Sequence, residues 1–305
     1  MKIAIAGAGD VAKYLTEEML LVGHDVVVLS RRKPVWFQRS DVEFRVVEYT
    51  VPALVEAIDD CEGLISTILD YSMRFADAHV ALVEACRQSR KCKRFVPSEF
   101  AGNTDDFPDQ PTFYFANHEP HRKMLREQTE ISWALFNLGW LTDYLIPTQL
   151  RYIKDIGDYH PVNLDNKTMI IPGTGDELIA LTSIRDACRA LVRLFDFDKW
   201  DAIIYVCGET TTWNKVAALM SERIPALKVS HRSQQDLQKQ IDDAESEEKV
   251  IAAQYDMWSI SGAGFLPQEK LKSQQQKYFH GLKFRTVEEF LSDADKADGQ
   301  EASAL

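Results

Sequence analysis

No stretch of this sequence is apolar for long enough to span a bilayer, and none pairs a basic start with an apolar core as a secretion signal does. The first apolar run, Ile3 to Ala6, is cut short by a glycine turn. Positive charge is also scarce: 35 lysines and arginines face 47 acidic residues, for a formal charge of −12. A general binder of nucleic acid or of anionic membrane needs a basic surface, so both classes are set aside. The five cysteines, Cys61, Cys86, Cys92, Cys188 and Cys207, are odd in number, widely spaced and never C-x-x-C. They point to neither a disulfide framework nor a zinc site. His160, His231 and His280 lie far apart without metal-ligand spacing, and no metal is expected. Ser98 lacks the Gly-x-Ser-x-Gly setting of a nucleophile elbow, and Tyr152 is followed by Ile153, Lys154, Asp155 and Ile156 instead of a Tyr-x-x-x-Lys pair. What remains is a soluble, cytoplasmic protein, monomer or homodimer, whose partner is a small molecule.

The chain of 305 residues, 45% hydrophobic and 27% charged, is long enough to bury a large core. Lys2 to Ala6 reads as a strand buried on both faces, Gly7-Ala-Gly-Asp-Val-Ala12 as a tight turn, and Lys13 to Leu21 as a helix. This is the G-x-G-x-x-A pattern of a dinucleotide loop. Gly7 makes the turn, Gly9 admits a pyrophosphate, Asp10 and Val11 complete the loop, and Ala12 lets helix and strand pack closely. The helix N-terminus adds free N–H groups and the positive end of its dipole. A second strand, Val26 to Leu29, runs into Ser30, Arg31, Arg32 and Lys33. An acid there would bind the ribose 2′-OH of NAD, whereas Arg31 and Arg32 suit the 2′-phosphate, so the expected cofactor is NADP(H).

Further strands at Phe44 to Val47, Gly63 to Ile68 and Arg94 to Pro97 alternate with helices at Pro52 to Ile58 and Met73 to Ser89. That alternation predicts an α/β, Rossmann-type, doubly wound parallel sheet. Ligands in such a sheet lie at the carboxyl ends of the strands, which brings in Ser66, Thr67, Leu69 and Tyr71. His79 falls on the apolar stripe of its helix and reads as a core histidine.

Arg94-Phe-Val-Pro-Ser-Glu-Phe100 resembles the signature of the isoflavone-reductase-like, NmrA-like family of atypical short-chain dehydrogenases. The resemblance continues in order through Phe136-Asn-Leu-Gly-Trp-Leu-Thr-Asp-Tyr144, Ile171 to Asp176, Thr182 to Asp186, Thr212 to Asn214 and Phe284 to Phe290. It implies an NADP(H)-binding Rossmann domain over 1–145, with later pieces from about 182–222, and a smaller α+β substrate lobe over 146–181 and 223–305. It also implies cofactor contacts at Pro97, Ser98, Glu99 and Phe100. Family reductases carry a Lys-x-x-x-Arg pair on the helix after the fifth strand, the lysine near the nicotinamide. Here Arg122 matches the arginine, while His118 stands where lysine is expected and becomes the catalytic candidate; shifted by one register, the position falls on Asn117. Histidine can donate or shuttle a proton near neutral pH, but it is shorter than lysine and usually neutral.

Phe113, Tyr114, Trp140, Tyr144 and Trp258 form an aromatic set suited to a flat, apolar substrate, and core packing is the competing reading. Three functions follow: NADPH-dependent reduction of an aromatic or conjugated small molecule in secondary metabolism, NADP(H) binding with a reaction of no net redox, and non-enzymatic NADP(H) sensing of NmrA type. In the C-terminal half, helices are expected over Thr182 to Phe195 and Trp213 to Glu222, with a strand at Ile203 to Cys207. One solvated helix should run from Ser233 to Gln254, Tyr255 to Leu266 should be a flexible apolar segment that either lines the substrate lobe or only ends a helix, and the tail from Asp293 to Leu305 should fray.

Overall fold

The computed structural model describes residues 1–297 and 304–305. The chain begins with β1 (Lys2–Ala6), α1 (Asp10–Leu21), β2 (Asp25–Ser30), β3 (Glu43–Val46), α2 (Val51–Ile58), β4 (Gly63–Ser66), α3 (Arg74–Gln88) and β5 (Arg94–Val96). It continues with α4 (Thr112–Glu127), β6 (Ser132–Trp133), β7 (Leu135–Asn137), β8 (Trp140–Leu141), β9 (Val162–Asn163), β10 (Thr168–Pro172), β11 (Leu178–Thr182) and α5 (Ile184–Leu194). The remainder is β12 (Ile203–Tyr205), β13 (Glu209–Thr212), α6 (Trp213–Arg223), β14 (Lys228–Arg232), α7 (Gln234–Asp243), α8 (Glu247–Ile260), α9 (Gln268–Lys277) and α10 (Val287–Ala297).

These elements divide into two compact units. The first comprises Met1–Phe100, Tyr114–Phe136 and Cys188–Ile204. Its sheet is six-stranded in the order β3-β2-β1-β4-β5-β6, with every neighbour parallel. This is the doubly wound dinucleotide-binding order, so the expected fold class holds. Ile3, Ala4, Ile5 and Ala6 are all fully buried, which a central parallel strand with both faces covered requires. Leu54, Leu64, Leu82, Val83 and Phe95 fill the core around it. The carboxyl ends of β1, β2, β4 and β5 are where the candidate residues collect.

The second unit, Ala101–Phe113, Asn137–Ala187 and Tyr205–Leu305, holds two three-stranded sheets, β14-β10-β9 and β13-β11-β8. Both mix parallel and antiparallel pairs. Trp140, Trp213, Trp258, Leu181, Met220 and Phe290 make its core.

Several expectations are corrected. The second unit also takes in residues 101–113, 137–145 and 205–222. The reason is pairing: β8 and β13 both hydrogen-bond to β11. The piece that returns to the first unit is Cys188–Ile204, shorter than the expected 182–222. The stretch from Ser233 is two helices, α7 and α8, because Ala244 turns left-handed (φ 46°) and Ser246 caps a new start by accepting from Lys249 N. α8 is half core, with Ile251, Ala252, Ala253 and Trp258 buried, and it takes in the first part of the segment expected to be flexible, ending at Ile260. The tail is not frayed throughout: α10 runs to Ala297 and Ala304 is buried, while 298–303 lie outside the described residues.

Candidate functional site

The reversal from β1 into α1 is made by Gly7, Ala8 and Gly9 alone. Gly7 has φ 108°, and a Cβ there would lie 2.9 Å from Thr67 Oγ1 and 3.1 Å from the Thr67 carbonyl carbon. The fold itself therefore demands glycine at this position. Gly9 is different. Its backbone is extended (φ −86°, ψ −161°), it is exposed, and an added Cβ would meet nothing within 4 Å. Protein packing gives no reason for glycine at position 9; the missing methyl keeps open the space in front of the first turn of α1. α1 starts at Asp10, three residues earlier than expected, and no side chain caps it. With no capping side chain, the first-turn N–H groups of Val11 and the buried Ala12 suit an anion.

Arg31 and Arg32 follow β2, both exposed, and among the described residues neither is in an ion pair. Arg39, Arg45, Arg87 and Arg90 nearby in sequence all hold carboxylates. In a chain of charge −12, two adjacent unpaired guanidinium groups at the carboxyl edge of the sheet fit a bound phosphate. At the end of β4, Thr67 N donates to Ala6 O at 2.8 Å, and Leu69 stands 70% exposed, an apolar surface suited to covering a base. The loop, the arginines and this leucine fit a phosphorylated dinucleotide.

After β5 come Pro97, Ser98 and Glu99, all buried, followed by Phe100 in the left-handed region at φ 46°. Here α4 presents Tyr114, His118, His121 and Arg122, spaced i, i+4, i+7, i+8 on one face. Arg122 holds Glu99 through two nitrogens, at 2.6 and 3.1 Å, and His121 Nε2 donates to Glu99 Oε1 at 3.0 Å. The Tyr114 hydroxyl donates to Glu99 O. Burial alone would raise the Glu99 carboxyl, but the Arg122 charge holds it well below the usual carboxylate range.

Ser98 is gripped at both of its backbone groups. Its N–H donates to His79 Nε2 at 3.3 Å, and its carbonyl oxygen lies 3.3 Å from His118 Nε2. His79 thus carries its proton on Nδ1, which donates to Phe75 O at 2.9 Å; burial lowers its pKa to about 3. His118 Nδ1 is 2.9 Å from Tyr114 O and 2.6 Å from Asn117 Oδ1, and the ring is stacked between Tyr114 and Phe75 at 3.5 and 4.1 Å. It is only 2% exposed, and burial drives its pKa well below 6.5. Both ring nitrogens are engaged by protein oxygens. The expected proton donor is therefore a buried neutral histidine whose single N–H serves either the Tyr114 and Asn117 oxygens from Nδ1 or Ser98 O from Nε2. Asn117, in the alternative register, is also buried and bonds the same ring.

The aromatic residues do not act as one set. Tyr114 belongs to the buried cluster just described. In the second unit Trp140 and Trp258 are each 5% exposed, 5.2 Å apart edge to face, and Trp140 Nε1 donates to Ser259 Oγ at 3.0 Å. Tyr144 packs on His160 at 4.8 Å, and Phe113 on Tyr255 at 5.2 Å. Trp140 and Trp258 are core, which is the usual fate of tryptophan at this density. Sequence reasoning passed over His121 altogether and read His79 as core without its bond to Ser98; the i+7 position of His121 from Tyr114 was the available signal.

Residues 6–160 match the model of the family described as NAD(P)H-binding. The oxidoreductase swnR of Arthroderma benhamiae is 40% identical over 97% of this chain and 98% of its own length. The chain belongs to the isoflavone-reductase-like, NmrA-like family. Its counterpart swnR from Metarhizium robertsii is 38% identical over the same shares. The leucoanthocyanidin reductase of Vitis vinifera, solved with NADPH, shares the fold at a TM-score of 0.72 and 16% identity, covering 96% of this chain and 99% of that one. As a family member the chain is an oxidoreductase that uses NADP(H). Among the described residues no helix is long and apolar enough to cross a membrane.

Proposed function

We propose that this isoflavone-reductase-like protein reduces an aromatic or conjugated small molecule, at an imine, enone or similar electrophilic carbon, at the expense of NADPH. The observation that carries the cofactor half is the open space before Gly9 beside two unpaired arginines. Bound there, the cofactor supplies a hydride from its nicotinamide C4. The first-turn N–H groups of α1 hold its pyrophosphate, and Arg31 and Arg32 hold the 2′-phosphate. The Ser98 to Phe100 turn, fixed from behind by His79, His118, Tyr114 and Arg122, forms a preorganised wall at the carboxyl end of β5. His118 serves in that wall as a positioning residue.

The small-molecule class rests on the kinship with oxidoreductases of the same length. The test is to identify by mass spectrometry any small molecule that co-purifies, then to follow NADPH absorbance during its turnover. One NADPH oxidised per product is expected. Product formed with NADPH intact would overturn the reductase reading in favour of a reaction without net redox, a reading that the burial of His118 keeps open.

A further inference from the structure

Between β2 and β3 the chain is irregular from Arg31 to Val42, and this segment carries the two unpaired arginines. A loop of this length pays a large entropy cost if it must be ordered by its ligand alone. Two neighbouring side chains order it beforehand. Phe37 is 3% exposed and packs on Phe44 of β3 at 4.8 Å, with the Lys33 ammonium 5.2 Å from its ring. Trp36, set edge to face on Phe37 at 5.5 Å, reaches the other way: its Nε1–H donates to Ala8 O at 3.0 Å, between the two glycines of the β1–α1 turn. The Lys13 ammonium of α1 lies 5.5 Å from the same indole and 3.3 Å from Asp10.

Resting on the reading of Arg31 and Arg32 given above, we propose that Trp36 is a specificity-determining latch: it ties the basic turn to the glycine loop and so sets the preference for a phosphorylated over a bare ribose. Pyrophosphate binding needs only the glycine loop. Recognition of the 2′-phosphate needs the arginines at a fixed offset from that loop, and the indole hydrogen bond is a side-chain tie between the two. The bond also occupies a carbonyl oxygen that would otherwise sit unpaired beside an anion.

The test uses the full chain. Trp36→Phe keeps an aromatic ring at the position that meets Phe37 and removes the N–H together with the second ring of the indole. NADPH affinity should fall about tenfold while NADH affinity stays within about twofold, so the ratio of the two collapses. In the cofactor-free protein, hydrogen–deuterium exchange over residues 31–38 should quicken at an unchanged melting temperature. Equal weakening of both cofactors, unchanged NADPH affinity, or unchanged exchange overturns the latch. The double variant Arg31→Ala, Arg32→Ala separates the two claims. If it retains the parent preference, the reading of the basic turn falls; if it loses the preference while Trp36→Phe keeps it, the latch alone falls.

Discussion

Gly7 and Gly9 lie two residues apart in one turn, yet substitution by alanine should act on different properties. At Gly7 the new Cβ faces two penalties. Its φ of 108° lies outside the region an L-residue adopts, for which about 1–2 kcal/mol is the minimum charge. The methyl must also fit 2.9 Å from Thr67 Oγ1 and 3.1 Å from backbone, an overpacking of about 1–3 kcal/mol. Together these put Gly7→Ala roughly 2–5 kcal/mol below the parent, a melting temperature lower by roughly 3–8 °C for a chain of this size. Gly9→Ala meets neither penalty, since its backbone is ordinary and nothing lies within 4 Å. Its stability should match the parent or exceed it by a few tenths of a kcal/mol, because alanine narrows the unfolded ensemble. Its methyl instead fills the approach to the α1 N-terminus, and NADPH should bind at least about tenfold more weakly. Thermal melts without cofactor and calorimetric titration with NADPH read the two effects separately. If Gly9→Ala binds NADPH as the parent does, the turn is not the pyrophosphate cradle and the reasoning from the missing methyl is refuted.

His118→Ala should lower kcat by about tenfold or more through loss of the ring wedged between Tyr114, Phe75 and Ser98, and His118→Gln, whose amide can donate to Ser98 O, should recover most of it. The pH profile of kcat should keep its shape in the glutamine variant; loss of a limb near neutrality would return His118 to proton transfer. Glu99→Gln strips the charge that balances buried Arg122 and should cost roughly 3 kcal/mol in denaturant unfolding, with a shift under about 0.5 kcal/mol counting against the buried pair. Because Glu99 is held below the usual carboxylate range, its contribution is present above the unfolded pKa and lost as pH falls through the lower folded value. Asp143 has the opposite sign. Burial raises it from 3.8 to about 7, so its favourable protonated form is present at low pH and lost as pH climbs between those values. Asp143→Asn, which can still accept from Ile184 N, should flatten that part of the stability profile, and an unchanged slope would show the carboxyl ionises normally.

The first unit was legible because its strands are buried on both faces and therefore read as short apolar runs closed by turn residues, as in Ile3 to Ala6 before Gly7. β6 escaped notice at two residues, and the second unit escaped for a similar reason: β8 and β9 are equally short and carry no period. The break between α7 and α8 was written in Ser233 and Ser246, each a cap accepting a backbone N–H three residues on, but the run of acids around them masked it. At the site, spacing singled out Gly7, Gly9 and Arg31 as cofactor candidates because loop positions have fixed chemistry; Arg122, expected at the cofactor too, is buried and holds Glu99. Spacing misjudged His118 because a one-dimensional motif says which residue replaces a lysine and nothing about what surrounds the replacement. A lysine has the length to pass a turn such as Ser98 to Phe100 and reach a ligand. The shorter imidazole stops at Ser98 O, between Tyr114 and Phe75. A fixed neutral wedge thus stands where the family resemblance expects a mobile charge, and the His118 variants read whether that wedge holds the wall of the site.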